Sequence, residues 1–146
     1  MKYKGMLSVW IVVLIQAMNL RCDFYCKSFN GEERLGNGFT LVNEDVKRAY
    51  VMFCLSKGSC CDMGIDVIPS KVIALNYDER WIIASSEGEE ITSYWIVNKA
   101  AMPPANSCKS MDCAKILKSN TWGPLSMKEF GVMLDSLEIG MKLEVK

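Results

Sequence analysis

The reactive potential of this chain lies mainly in seven cysteines, Cys22, Cys26, Cys54, Cys60, Cys61, Cys108 and Cys113, and the chain has no histidine. Without imidazole the commonest general base is missing, and a Ser-His-Asp or Cys-His pair is impossible. A cysteine zinc site wants pairs two to four residues apart, completed by more cysteine or histidine. Cys108 and Cys113 have four residues between them, but Cys60 and Cys61 are adjacent, so no metal is expected. The redox spacing C-x-x-C is absent. A nucleophilic thiol needs a positive neighbour to lower its pKa, and only Lys57 near Cys60 and Lys109 beside Cys108 offer one. The carboxylate pairs Asp78-Glu79 and Glu89-Glu90 fall where turns are expected, and charge at turns is ordinarily solvated. Gly36 and Gly38 open a strand rather than a helix, so they do not form a phosphate cradle. No catalytic residue and no cofactor is expected.

Disulfide formation is the remaining use for the cysteines, and the front of the chain gives a reason for it. "MKYKGMLSVWIVVLIQAMNLRCDFYC" opens with Lys2 and Lys4 and continues in an apolar run from Met6 to Met18, broken by Ser8 and Gln16. That is the pattern of an export signal over residues 1–21 with its apolar region at 6–18. The run is shorter than the roughly 20 residues of a spanning helix, although its extension to Leu20 leaves a retained signal anchor open. Cys22 stands where a bacterial lipoprotein carries its lipidated cysteine, at the new N-terminus after cleavage. Arg21 in place of a small residue, and Leu20 one position late, depart from the usual processing site. Lipidation at Cys22 leaves six cysteines, an even number, in an oxidising compartment. Their pairing is open. Cys60 and Cys61 lie in the loop-like "KGSCCDMG" and are expected to bridge to distant partners, since a vicinal bridge strains the peptide. Cys108 and Cys113 are candidates for those partners. Cys54, inside "AYVMFCL", doubles as a candidate half-cystine and a buried hydrophobe.

Composition narrows the partners. Half of the residues are hydrophobic and 23% are charged, which excludes a disordered chain. Setting aside Lys2, Lys4 and Arg21 leaves 14 basic against 17 acidic residues beyond position 21, a net charge of −3. With no Lys/Arg cluster in the body, nucleic acid is not an expected partner.

These residues need elements to hold them. A Gly36-Asn37-Gly38 turn leads into a strand near 39–43, a second strand runs 49–55, and a loop follows to about Asp66. "SKVIALNYDERWIIASSEGEEITSYWIVNK" then gives three apolar, β-branched and aromatic runs at 71–77, 80–86 and 91–98. A tight turn at Asp78-Glu79 would set Leu75 opposite Ile82 and Ala74 opposite Ile83. A four-residue turn from Glu87 to Glu90 would set Ile82 opposite Trp95, Ile83 opposite Tyr94 and Trp81 opposite Ile96. One face then carries Ile73, Leu75, Ile82 and Trp95; the other carries Val72, Ala74, Trp81, Ile83, Tyr94 and Ile96. Both faces are apolar, so the second needs a cover. "SMKEFGVMLDSLEIG" supplies a helix with a Ser126/Glu129 capping box, a stripe of Met127, Phe130, Met133, Leu134 and Leu137, and a stop at Gly140. A further helix is expected near 111–118, with "MPPANS" and "NTWGP" as loops, and "GMKLEVK" as an edge strand. The expected fold is α+β: a small antiparallel β-meander of about five strands packed against a C-terminal helix. Residues 22–35 form a tether and 36–146 a single domain. Trp81, Tyr94 and Trp95 are expected inside the packed sheet, with a ligand-stacking surface as the other use of the same aromatics.

The succession "GNGFTLVN", "IPSKVIALNYDERWIIASS", "SYWIVNKA" and "WGPLSMKEFGVMLDSLEIGMKL" resembles a family of small bacterial predicted lipoproteins classed as a domain of unknown function. The resemblance covers roughly residues 36–143. Asn98 stands where that pattern has Asp, and the cysteines are additional. The resemblance implies a bacterial envelope address, lipid-anchored on the periplasmic or outer surface, and no activity. The expected function is a membrane-tethered, non-enzymatic module for an envelope protein partner. The alternatives are an inhibitor or immunity-type protein against a secreted toxin or hydrolase, and an enzyme using cysteine or carboxylate chemistry.

Overall fold

The apolar runs become strands, and more of the chain joins them than their composition announces. The computed structural model describes residues 31–45, 48–56, 60–61, 63–69, 71–88, 91–109 and 112–145. The expected signal peptide over 1–21, the expected tether as far as residue 30, Cys22 and Cys26 lie outside the described residues. Eight strands follow in order: β1 (Glu32–Gly36), β2 (Phe39–Asp45), β3 (Arg48–Cys54), β4 (Gly64–Ile68), β5 (Lys71–Tyr77), β6 (Trp81–Glu87), β7 (Thr92–Asn98) and β8 (Thr121–Leu125). Two helices, α1 (Cys113–Ser119) and α2 (Met127–Ser136), lie near the C-terminus. The strands form two antiparallel meanders, β1-β2-β3-β4 and β5-β6-β7-β8. The α+β class therefore holds, but with eight strands in two sheets in place of about five in one.

Three strands were read otherwise. Glu32–Leu35, expected in the tether, belong to β1 and pair with β2. β4 occupies the end of the expected cysteine loop. β8 runs through "TWGPL", where Gly-Pro reads as a loop; as an edge strand beside β7 it tolerates the missing proline N–H. Gly123 lies at φ +152°, and a Cβ there would fall 2.3 Å from the Trp95 ring. Glycine thus lets β8 cross the indole.

The inter-sheet core is built from Leu35, Phe39, Leu41 and Phe53 on one side and Leu75, Ile82, Trp95 and Val97 on the other. Phe39 and Phe53 meet edge to face at 5.2 Å. Burying each such side chain is worth roughly 1.5–3 kcal/mol. The opposite face of the second sheet presents Trp81, Ile83 and Ile96, which α2 covers with Phe130 and the last segment covers with Ile139. The C-terminal cover expected from the sequence is present. Val145 makes an isolated bridge to Ala74, and the Leu75 N–H donates to Glu144, so the tail touches the β5 edge without becoming a strand.

Both expected hairpin registers are displaced by two residues. Leu75 faces Ala84, Tyr77 faces Ile82, Ala84 faces Trp95 and Ile83 faces Ile96. A slip of two preserves each side chain's face, which is why the facial assignment survives at Leu75, Ile82, Trp95, Trp81, Ile83, Tyr94 and Ile96. The cause at the first turn is Asp78: its carboxylate accepts from the N–H groups of Arg80 and Trp81 at 2.8 and 2.7 Å, closing the turn one residue later. At the second hairpin the register sets small Ala84 opposite large Trp95. Val72 is an exception: a bulge between Val72 and Ala74 turns it into the inter-sheet core.

The capping box forms as expected. Ser126 accepts from the Glu129 N–H, and its own N–H and hydroxyl donate to the Glu129 carboxylate, holding that carboxyl below its usual range. Phe130, Met133, Leu134 and Leu137 pack inward, whereas Met127, in the first turn, is 69% exposed. The helix stops earlier than Gly140. Glu138 adopts φ +55°, its N–H donates to Asp135, and the Ile139 N–H donates to Leu134. This is a Schellman closure with glutamate where glycine is usual. Left-handed backbone costs a non-glycine residue about 1 kcal/mol, so Glu138→Gly should raise the free energy of unfolding in urea by up to that amount. A loss of stability would show that the glutamate side chain contributes more than the strain costs.

Candidate functional site

The polar chemistry buried in the body gathers where the β1–β2 turn, the β5–β6 turn and the end of β7 meet. β1 and β2 change register between Arg34 and Gly36, so Leu35 is a bulge residue left out of the ladder. Its side chain fills the core, and its carbonyl accepts from a side chain just beyond β7 of the other sheet: the Lys99 ammonium donates to it. Lys99 is only 2% exposed. Its backbone N–H donates to Arg80 at 3.0 Å, Asn37 Nδ2 donates to its carbonyl at 3.3 Å, and its Nζ stands 5.1 Å from the Tyr77 ring centre. Gly36, at φ +88°, makes room, since a Cβ there would lie 3.1 Å from Nζ.

Around this lysine lies an open cleft of about 720 Å³, lined by Arg34, Gly36, Asn37, Tyr77, Asp78 and Glu79. Burial lowers the Lys99 pKa from 10.5, and the carboxylates of Asp78 and Glu79 oppose that shift. A desolvated amine is the starting point for lysine nucleophiles. Here it is engaged: the ammonium ties the first sheet to the second through Leu35 and Tyr77. Neither Lys99 nor Glu32 was singled out in the sequence. Lys99 merely ends the apolar run "YWIVN", and its partner carbonyl arises from a bulge that no local pattern announces.

A smaller cleft of about 220 Å³ opens on the other face of the first sheet, between Glu32, Arg34, Thr40 and the cysteine loop. Glu32 is 8% exposed and accepts the Cys61 N–H at 3.0 Å. The Ser56 hydroxyl donates to the Cys60 carbonyl at 3.2 Å. Among the described residues no group of three or more His, Cys, Asp and Glu is placed to hold a metal ion.

Every described cysteine is in a disulfide. Cys54 bonds Cys61 and Cys108 bonds Cys113, each pair with Cα atoms 5.4 Å apart. Cys60 is also disulfide-bonded. The expected link from the Cys60-Cys61 loop to Cys108 and Cys113 is therefore corrected. The β3–β4 hairpin, closed by the Leu55 N–H on Met63, returns Cys61 to Cys54. Asp112 caps α1 and places Cys113 beside the preceding 3₁₀ turn that holds Cys108. Cys54 is thus a half-cystine rather than a free buried thiol, and neither Cys60 nor Cys108 has a thiol for a lysine to activate. Lys57 lies outside the described residues.

The three aromatics are packed. Trp95 is 8% exposed in the inter-sheet core, its Nε1 donating to Ser86 at 2.8 Å. Trp81 is buried against Trp122, and Tyr94 stacks on Phe130 at 5.1 Å. Among the described residues no helix is long and apolar enough to cross a membrane. Comparison with protein-family models, curated proteins and solved structures returns no match.

Two outcomes test this geometry. A lysine whose folded pKa is depressed carries fewer protons folded than unfolded, so its contribution to stability rises with pH from the lowered pKa up to 10.5. Urea titrations of the native chain and Lys99→Met across that window should show the difference moving in favour of the native chain. Parallel curves would place the ammonium in solvent. Replacing both Cys108 and Cys113 by Ser should cost about 2 kcal/mol, the loop-closure value for so short a ring, measured by denaturant unfolding without reductant.

Proposed function

We propose that the chain is a bacterial envelope protein, exported and tethered to the membrane through lipid on Cys22, whose folded body is a non-enzymatic module for an envelope protein partner. The observation that carries this reading is the oxidation state of the cysteines: Cys54, Cys60, Cys61, Cys108 and Cys113 are all in disulfides. Disulfides persist outside the reducing cytosol. That agrees with the charged and apolar leader over residues 1–21 and with the family resemblance between residues 36 and 143. Cysteine number supports lipidation as well. Seven cysteines cannot all pair, and Cys22, placed just after the leader, is the one whose position suits an acyl anchor. Two acyl chains on one residue give stable membrane attachment, where one does not.

The non-enzymatic half rests on how the buried polar groups are used. The Lys99 ammonium is engaged by the Leu35 carbonyl and lies over the Tyr77 ring, and Glu32 receives the Cys61 N–H. Each is occupied in holding the fold.

Intact mass of the full chain, expressed in a bacterium and taken from its membrane fraction, tests the proposal. The expected species begins at Cys22, carries acyl chains, and gains two hydrogens per disulfide on reduction. A reduced, unprocessed chain beginning at Met1 would overturn it.

A further inference from the structure

We infer that the outer edge of β4 takes up an extended strand of a partner protein, laid antiparallel along Gly64–Ile68, with a basic residue between two apolar ones. This deepens the protein-binding reading proposed above and rests on it.

The ladder sets the geometry. In an antiparallel pair, residues that bond each other alternate with residues whose N–H and carbonyl point away from the facing strand. The Cys54 N–H donates to Gly38, on the β2 side. Gly64, opposite Cys54, therefore turns its own N–H and carbonyl away from β3. Asp66, two residues on and opposite Met52, does the same. β4 is the last strand of its sheet, and among the described residues these outward groups have no hydrogen-bond partner. The other outer strands are obstructed. The C-terminal segment lies against β5, where the Leu75 N–H donates to Glu144 and Val145 bridges Ala74. β8 contains Pro124, and in β1 the Leu35 carbonyl is taken by Lys99. An edge left open in this way is a template for another chain.

Two features define the occupant. A groove of about 290 Å³ runs beside the edge, between β4 and α1, lined by Ile65, Val67, Trp95, Leu117, Thr121 and Gly123. Side chains alternate across a strand. A strand added to β4 thus sends every second residue into this groove and the residues between them to the face that carries Asp66. The groove selects apolar side chains. Asp66 selects the charge. It is exposed, and nearby charges are already paired, Glu44 with Arg48 at 3.6 Å and Lys71 with Glu87 at 2.6 Å. Asp66 is in no ion pair among the described residues. A basic residue directly opposite exchanges both main-chain bonds with Asp66 and pairs with its carboxylate. The other charge at the groove, Lys118, belongs to α1 and so stands outside the ladder. A second copy of this chain fits poorly, because β4 paired antiparallel with itself about Asp66 sets two carboxylates opposite each other.

Amide shifts of the isotope-labelled full chain, titrated with the peptide acetyl-Thr-Val-Lys-Val-Thr-amide, test the inference. Shifts are expected at Gly64, Ile65 and Asp66 and across the groove at Thr121. The same peptide methylated on the main-chain nitrogen of its lysine loses the bond to the Asp66 carbonyl and should bind about tenfold more weakly. This comparison uses the native chain and is independent of how any variant folds. A peptide with Glu in place of Lys should bind about fivefold more weakly, and the preference should reverse in Asp66→Lys. Equal binding of the methylated peptide, or no shift along β4, would overturn the inference. Shifts confined to Arg34, Asn37 and Tyr77 would overturn the edge and keep the protein-binding module. Shifts along β4 in a chain whose intact mass shows neither processing nor lipid would uphold the edge and overturn the envelope reading.

Discussion

A four-stranded sheet that is apolar on both faces can exist in water only between two other layers, and that constraint organises this molecule. β6 is the extreme case, with Trp81 through Ser86 all buried. Its Ile82 and Ala84 face the first sheet and its Trp81 and Ile83 face α2 and the C-terminal segment. The first sheet has less to satisfy, since its second face carries Glu32, Arg34 and Thr40 between its apolar positions. The sandwich is therefore asymmetric. One sheet is enclosed, and the other retains a polar side on which the cysteine loop lies.

Enclosure makes each polar atom inside expensive, and the fold answers most of them. The Leu35 carbonyl, freed by the bulge in β1, meets Lys99; the Trp95 indole N–H meets Ser86. Leaving such a group unpaired costs about 1–3 kcal/mol. Asn98 Oδ1 is the exception, buried with no hydrogen-bond partner. Lys99 has the wider reach: it satisfies a carbonyl of the first sheet from a position in the second, so a single cation sets how the two turns and the end of β7 sit together.

The sequence made the enclosed sheet legible and the rest only partly so. Strands β5 to β7 stood out because Val, Ile and Trp concentrate there between charged turns, and the Ser126/Glu129 box marked α2. The registers were not legible, because Asp78 captures two N–H groups and moves the turn by one residue. β1 was hidden by its charges, Glu32, Glu33 and Arg34, which sit in a strand because β2 supplies its ladder. β8 was hidden by Gly123 and Pro124, which read as a loop and in fact suit an edge strand crossing Trp95. At the candidate site the cysteines were visible as half-cystines, but their pairing depended on the β3–β4 hairpin and on the cap of α1. The Lys99 cluster depends on a bulge, two separate turns and the end of β7, and no single window of sequence contains it.

The described disulfides lie at the rim of this architecture. Cys54–Cys61 spans seven residues and Cys108–Cys113 spans five. Rings of that size remove little chain entropy, about 2 kcal/mol each, whereas every buried core side chain contributes a comparable amount. The bridges therefore do not substitute for a core; they hold irregular connections that carry few apolar contacts of their own. Those connections flank the cleft beside Glu32 and the approach to α1, where loops on a rigid scaffold ordinarily do their binding. Oxidation thus fixes the shape of the surface while leaving the sheets to hydrophobic packing. The core can therefore assemble from its strands alone, and the bridges then make the rim rigid.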